Sequence, residues 1–306
     1  MKSHRSITKL GVGIFSFCRL NPLRTPLIIM GVLSVCISCS SPVNRLQHQA
    51  EQLGLKEKTV QTTNNHLIKS YYSKSLEEKL NNQLVFVYLE GDGRPWSKRM
   101  GPNNDPNTHQ SVVLPLLIQA MNETKEAGIY LSRPCYGIDP MPENCNQKWW
   151  TSHRYSKQVV DEMDEALTQL KNVFNIEKMV LVGHSGGGAL AMLLANKRKH
   201  NDEIEAVITL AGNLDHTTWT NYFHYLPLHG SLNVIDEPPL PSNIIRWHFA
   251  GNKDTTVPIE IIREVTQKDE DAKLIELENV DHTCCWHSRW YKTITDIKEA
   301  ISVNNQ

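Results

Sequence analysis

The sequence has almost no net charge, because its 32 Lys and Arg residues and 33 Asp and Glu residues leave −1 at neutral pH. A chain that binds nucleic acid usually presents an excess of basic residues to the phosphate backbone. We therefore expect no nucleic acid partner. The hydrophobic content of 40% is that of an ordinary globular protein, and 306 residues allow one large domain or two small ones.

The apolar run near the N-terminus is too short to span a membrane as a helix. Residues 26–38 form an uncharged stretch of about 13 residues, whereas a spanning helix needs about 20. The stretch follows a basic leader without acidic residues, and this pairing is typical of a signal peptide. Its end, Cys-Ile-Ser-Cys at residues 36–39, resembles the lipobox of bacterial lipoproteins, which implies acylation at Cys39.

We therefore predict a signal peptide over residues 1–39, a polar tether over residues 40–65 and a folded domain over residues 66–306. The protein is expected in the cell envelope of a bacterium, bound to the membrane through the lipid on Cys39. Ser40 favours the periplasmic side of the outer membrane. The alternatives are an uncleaved N-terminal membrane anchor and a secreted protein.

Short apolar runs alternate with amphipathic stretches along the folded domain. The expected strands cover residues 84–89, 128–132, 178–183, 206–210, 244–250 and 273–277. The expected helices cover residues 112–127, 155–174, 189–195, 258–267 and 291–301. This alternation predicts an α/β fold in which helices cover both faces of a mostly parallel sheet.

The sequence has neither the Gly-Lys-Ser/Thr of a P-loop nor the G-x-G-x-x-G of a dinucleotide site. Its glycine-rich stretch is residues 183–187, Gly-His-Ser-Gly-Gly, which match G-x-S-x-G between a strand and a helix. A serine at such a corner is exposed beside the first N–H groups of the helix, as an acyl-transferring nucleophile requires. Ser185 is therefore the candidate nucleophile. The alternative is a turn that only packs the helix on the sheet.

Partners for Ser185 are expected at the carboxyl ends of other strands, because an open parallel sheet collects functional groups there. Asp254 follows the strand at residues 244–250, and His282 follows the strand at residues 273–277. His282 would accept the serine proton, and Asp254 would orient the ring and stabilise its charge. The three residues occur in the order Ser, Asp, His.

Each partner also has a plainer interpretation. Asp254 could be a turn or N-cap residue before a helix, and His282 could be one of 13 ordinary histidines. Asp215 and Asp281 are rival candidates for the acid. The ordered set of a nucleophile, an acid and a base favours the catalytic interpretation.

The loop at residues 90–93, Glu-Gly-Asp-Gly, follows the strand at residues 84–89. The backbone N–H of Asp92 could hold the oxyanion of a reaction intermediate together with the N–H of Gly186. Which N–H completes this oxyanion hole is left open.

These motifs resemble the α/β-hydrolase family over residues 66–302, with residues 183–187 the most specific piece. The chain is also similar to a group of uncharacterised bacterial α/β-hydrolase proteins, many of them with lipoprotein-like leaders. The segments that match this group are residues 88–93, 132–135, 150–153, 211–216 and 281–286. The resemblance implies the α/β-hydrolase fold and carries the triad onto Ser185, Asp254 and His282. It implies no substrate, and we expect no cofactor.

Four cysteines lie in the folded domain. Cys135 and Cys145 are ten residues apart on a loop of a protein that we expect to be exported, so a disulfide between them is predicted. Cys284 and Cys285 could be metal ligands, free thiols or a disulfide. Their spacing is tighter than that of usual zinc ligands, so no metal is expected.

The favoured function is cleavage of small or medium carboxylic esters through an acyl-enzyme on Ser185. Thioesterase, peptidase or acyltransferase activity would use the same triad, and a binding lipoprotein without turnover is the alternative from another class. Residues 213–241 form an insert that we expect to be a lid or acyl-binding wall, although it could simply pack on the domain. Its apolar and aromatic residues are Trp219, Tyr222, Phe223, Tyr225, Leu226 and Leu228.

Overall fold

The computed structural model of the chain describes residues 42–78, 84–97 and 100–306. Its strands are β1 Lys56–Gln61, β2 Leu67–Tyr72, β3 Leu84–Leu89, β4 Trp96–Ser97, β5 Gly101–Pro102, β6 Ala127–Leu131, β7 Lys178–His184, β8 Ile204–Leu210, β9 Ile245–Gly251 and β10 Ala272–Leu277. Its α-helices are α1 Pro42–Gln52, α2 Val113–Gln119, α3 Lys157–Phe174, α4 Gly186–Arg198, α5 His216–Tyr222, α6 Ile259–Thr266 and α7 Trp290–Asn304. Shorter helical turns cover Lys74–Glu78, Ala120–Thr124, Gln147–Trp150, Val234–Asp236 and Trp286–Arg289.

Eight of these strands form one sheet in the order β1-β2-β6-β3-β7-β8-β9-β10. In this order, the six strands β6, β3, β7, β8, β9 and β10 are parallel to their neighbours. Strands β1 and β2 extend the sheet at the β6 edge in antiparallel orientation. Every residue of β8 is buried, which is typical of a strand covered on both faces. The predicted mostly parallel sheet with helices on both faces is confirmed.

The sheet separates two hydrophobic clusters. One cluster contains the buried sides of α3, α4 and α6, and the other contains those of α2 and α7. In α3 the apolar residues recur at helical spacing, and the hydroxyl of Ser156 accepts a hydrogen bond from the Val159 N–H to cap the first turn. The helix ends at Asn175, whose positive φ of 54° is a common helix stop. This amphipathic face anchors α3 against the sheet.

Residues 42–61 do not form the expected polar tether, because α1 and β1 occupy them. The β1 strand pairs with β2 over its whole length. Its polar composition fits an edge position: Val60 is buried, while its neighbours on either side are exposed. The signal peptide predicted over residues 1–39 lies outside the described residues.

Within the part of the chain that the structure describes, no helix is both long enough and apolar enough to cross a membrane.

Candidate active site

Ser185 occupies a sharp corner between β7 and α4. Its backbone has φ 53° and ψ −121°, a conformation that L-residues rarely adopt because it is strained. Strained residues of this kind cluster at functional sites. Glycine is required at positions 183 and 187 because other backbone segments pass too close to leave room for a side chain. A Cβ on Gly187 would lie 2.1 Å from the carbonyl oxygen of Leu89, and a Cβ on Gly183 would lie 2.2 Å from that of Gly187. The tight corner therefore accounts for the G-x-S-x-G pattern.

His282 and Asp254 are hydrogen-bonded to each other. His282 Nδ1 lies 2.8 Å from Asp254 Oδ2, and the Asp254 side chain is almost fully buried. The other carboxylate oxygen, Oδ1, accepts hydrogen bonds from the N–H groups of Thr256 at 2.7 Å and Val257 at 2.9 Å. Asp254 is therefore both the turn residue of the plainer interpretation and the partner of the histidine ring.

The two rival acids are used elsewhere. Asp215 is the N-cap of α5, where its Oδ1 accepts hydrogen bonds from the N–H groups of Thr217 and Thr218, both at 3.1 Å. Asp281 is exposed and accepts the N–H of Cys284 at 2.7 Å. The structure thus brings Asp254, rather than either rival, to the histidine.

Ser185 and His282 line the same cavity, whose volume is about 1040 Å³. The loop after β3 and the insert at residues 213–241 both contribute to its wall. Aromatic and apolar side chains supply much of this lining: Trp96, Met100, Trp219, Tyr225, Leu226 and Leu228. Several of them are exposed at the cavity, including Met100 at 83% and Leu226 at 70%. Such a wall suits the carbon chain of a small-molecule ligand.

The insert is more ordered than its sequence indicated. It contains α5 and the short turn Val234–Asp236. Trp219 donates a hydrogen bond from Nε1 to the carbonyl oxygen of Thr256 at 2.7 Å, two residues after Asp254. Phe223 and Tyr225 stack on each other at 5.3 Å between ring centroids. The Trp219 hydrogen bond connects the cavity wall to the loop that carries Asp254.

The loop at residues 90–93 lies against the serine corner. A Cβ on Gly91 would lie 3.3 Å from the Cβ of Ser185, and a Cβ on Gly186 would lie 2.0 Å from Asp92 Oδ1. The Asp92 side chain therefore packs directly on the residue after the serine. The predicted role of the Asp92 and Gly186 N–H groups as an oxyanion hole stays a prediction.

Asp92 also holds a cluster of charges that the sequence did not reveal. Its carboxylate accepts hydrogen bonds from Arg133 Nη1 at 2.7 Å, Arg154 Nη1 at 2.8 Å and the Tyr155 hydroxyl at 2.6 Å. Burial alone would raise the pKa of Asp92, but the positive charges of Arg154 and Arg133 outweigh it and hold this pKa far below its ordinary value. Asp92 is therefore ionised in the folded protein.

His184 is a further residue of the site that its sequence position did not single out. Its Nε2 lies 2.7 Å from the backbone carbonyl oxygen of His282, and its ring is 4.7 Å from the His282 ring between centroids. Burial lowers the pKa of His184 to about 3, so the ring is neutral and its Nε2–H donates to that oxygen. The Trp286 indole N–H donates to the same oxygen at 3.2 Å. The corner that carries Ser185 is thus bonded directly to the loop that carries His282.

Disulfides join Cys135 to Cys145 and Cys284 to Cys285. The first closes the loop that follows β6, from which Arg133 and Tyr136 reach Asp92. Cys39, the expected lipidation site, lies outside the described residues.

Comparison with known proteins agrees with this architecture. The chain matches the family model for the α/β hydrolase fold over residues 127–226. The structure is similar to Est1E from Butyrivibrio proteoclasticus, with a TM-score of 0.54 and 14% identity over 81% of this chain and 98% of that one. It is also similar to the Pyrococcus furiosus esterase PF2001, with a TM-score of 0.55 and 12% identity over 82% of this chain and 93% of that one.

A search of the curated proteins finds no sequence that matches the chain. At such low identities the structural likeness bears on the fold alone. Taken with the sheet order and the serine corner between β7 and α4, it leads to one conclusion: the chain has the α/β-hydrolase fold.

Proposed function

We propose that the protein is a serine hydrolase that cleaves carboxylic esters through an acyl-enzyme. The observation that carries the proposal is that His282, which lines the same cavity as Ser185, is hydrogen-bonded to the buried Asp254 carboxylate at 2.8 Å. A serine hydroxyl is a weak nucleophile until a neighbouring base takes its proton. The three side chains supply the nucleophile, the base and the group that orients the base.

In the proposed reaction the Ser185 oxygen forms a bond to the ester carbonyl carbon while His282 takes its proton. Asp254 accepts the His282 Nδ1–H bond and stabilises the imidazolium. The intermediate collapses when the carbon–oxygen bond to the alcohol breaks and the alcohol leaves with the proton from His282. A water molecule then gives a proton to His282 and attacks the acyl carbon of the acyl-enzyme. The bond from that carbon to the Ser185 oxygen breaks, His282 returns the proton to Ser185, and the carboxylic acid leaves.

The backbone N–H groups of Gly186 and Asp92 are the proposed donors to the negative oxygen of each intermediate. The support for Gly186 is its place as the first residue of α4, where the N–H groups of a helix are unpaired and carry partial positive charge. The support for the second donor is that the loop at residues 90–93 packs against both Ser185 and Gly186.

The insert at residues 213–241 is proposed to bind the acyl group of the ester. Two of its aromatic residues, Trp219 and Tyr225, line the cavity together with Leu226 and Leu228, and such an apolar wall suits an acyl chain. Removal of residues 218–238 should change the preference among acyl lengths. An unchanged preference in a folded variant would show that the insert only packs on the domain.

Turnover of a panel of esters, thioesters and amides tests the proposed chemistry. Wild type should hydrolyse esters, and Ser185→Ala should lower kcat by several orders of magnitude because triad members act as a unit. Circular dichroism of the variant checks that it is folded. Turnover of thioesters or amides in preference to esters would assign the triad to that class instead. No turnover by wild type would favour a binding protein.

We further propose that the protein is tethered to the bacterial envelope by a lipid on Cys39. The basic leader and the short apolar run before Cys39 support this location. Growth with a labelled fatty acid should label the wild-type chain but not Cys39→Ala. Equal labelling of both would refute the lipid anchor at this residue.

A further inference from the structure

The charge cluster around Asp92 contains more positive charge than its carboxylate balances. Arg133 and Arg154 share the single carboxylate of Asp92, at 2.7 Å and 2.8 Å. Both guanidinium side chains are more than nine-tenths buried. The cluster therefore holds two positive charges and one negative charge away from bulk water. An unbalanced charge is unfavourable in such a place unless a further partner is present.

The other groups on the cavity wall do not supply that partner. The acidic residues of the described lining are Asp92 and Glu90. The Glu90 carboxyl is occupied by other donors, because its oxygens accept hydrogen bonds from the Ser111 hydroxyl and from the Gly91 and Val112 N–H groups. Arg94, at the rim, adds a further positive charge. Among the described residues, Asp92 is therefore the one carboxylate within ion-pair distance of Arg154.

Arg154 is the guanidinium of the cluster that reaches the cavity. It lines the same space as Ser185, whereas Arg133 lines a smaller cavity behind the loop at residues 90–93. Its Nε donates to the Thr151 carbonyl oxygen at 2.8 Å, and its Nη1 donates to Asp92. These two bonds fix the plane of the guanidinium and leave Nη2 for a ligand.

The Arg154 guanidinium is also close to the proposed reaction centre. It contacts the Asp92 carboxylate, and that carboxylate packs on Gly186, the residue after the nucleophile. A substrate bound to Ser185 would therefore lie within a few bond lengths of this charge. Both guanidinium groups stay charged, because the nearby Asp92 carboxylate outweighs the effect of burial and raises their pKa values.

We propose that the cavity selects esters that carry a carboxylate, which Arg154 binds beside the scissile ester. The inference rests on the proposed ester hydrolysis and specifies its substrate class. The carboxylate of the substrate would balance the charge that Asp92 leaves over.

Two matched pairs of esters test the selection on each side of the scissile bond. Monomethyl adipate and methyl adipamate differ on the acyl side, and 3-acetoxybenzoate and 3-acetoxybenzamide differ on the alcohol side. In at least one pair wild type should favour the carboxylate in kcat/KM by about tenfold or more. Arg154→Gln should bring that ratio close to one. Arg133→Gln is the matched control, because it lowers the charge of the cluster equally but leaves the Arg154 guanidinium in the cavity wall, so it should reduce the preference much less than Arg154→Gln does.

A salt titration of the wild type tests the same electrostatic preference without a substitution that could disturb the fold. The preference should shrink between about 50 mM and about 1 M NaCl, because salt screens the attraction that acts on the charged ester in solution before it reaches Arg154. A wild type with no preference in either pair would overturn the inference, as would a preference that Arg154→Gln or salt leaves unchanged. In each of these cases the neutral esters are still hydrolysed. Hydrolysis of no ester at all would instead overturn the proposed function, and the inference with it.

Discussion

Opening the disulfide between Cys135 and Cys145 should destabilise the domain by an amount that the loop length sets. The two cysteines are separated by 10 residues, and the chain-entropy relation for a loop of that size gives about 3 kcal/mol at 25 °C. For a domain of this size such a loss corresponds to a fall in Tm of roughly 6 to 12 °C. Wild-type stability therefore depends on an oxidising compartment.

The assay is urea unfolding of a protein without residues 1–39, with and without reductant. The second disulfide is removed beforehand by the variant Cys284→Ala/Cys285→Ala, so that reduction opens only the bond between Cys135 and Cys145. Because adjacent residues enclose almost no chain, this variant should match the oxidised wild type to within about 1 kcal/mol. A reductant effect below about 1 kcal/mol on the variant would refute the reasoning, as would an equal loss from the adjacent pair.

Three further predictions concern single side chains of the sheet and the site. His184→Gln should retain most of kcat, because its amide nitrogen can replace Nε2 in the bond to His282, whereas His184→Asn should lower kcat about tenfold with little change in KM. Equal kcat values for the two variants would refute the role of this bond. Asp254→Asn should remain folded yet lower kcat by about 10⁴-fold, and a nearly normal rate would assign the acid elsewhere. Burial lowers the pKa of His248 to about 4, below the 6.5 of a free histidine, so the unfolded chain takes up a proton first as the pH falls. The free energy of unfolding should therefore decrease from pH 6.5 to 4 by up to about 3 kcal/mol through this residue, and His248→Gln should show a smaller decrease in urea titrations.

Patterns within single segments predicted much of the fold. The apolar run before Ser185 is β7, and the longest amphipathic stretch is α3. The topology then explains why Asp254 and His282 could be placed together from sequence: each follows a parallel strand, and such strands end at one edge of the sheet. Their proximity could therefore be predicted from the strands alone, without knowledge of where the side chains point.

The edge strand β1 could not be predicted in this way. Its sequence, Lys-Glu-Lys-Thr-Val-Gln, is mostly polar because only Val60 is fully buried, so it resembles a tether. The segment forms a strand because it pairs with β2. Neither the hydrophobic periodicity nor the composition of the segment indicates this tertiary contact.

The charge cluster was missed for a similar reason. Asp92 lies 41 residues before Arg133 and 62 residues before Arg154, and no periodic pattern relates positions so far apart. The sequence directed attention to the backbone N–H of Asp92, whereas the side chain makes the contacts. His184 had a signal that could have been used, since it stands immediately before Ser185 at the end of the predicted strand, where the loops of the site are expected.

The central claim is that Ser185 is activated as a nucleophile by His282 and Asp254. Intact mass spectrometry after treatment with a fluorophosphonate measures this directly, because the reagent reacts with activated serines and leaves a covalent adduct. We predict one adduct per wild-type chain, none on Ser185→Ala and a strongly slowed reaction of His282→Ala. A folded wild type that gains no adduct, or a Ser185→Ala variant that is modified equally well, would contradict the account.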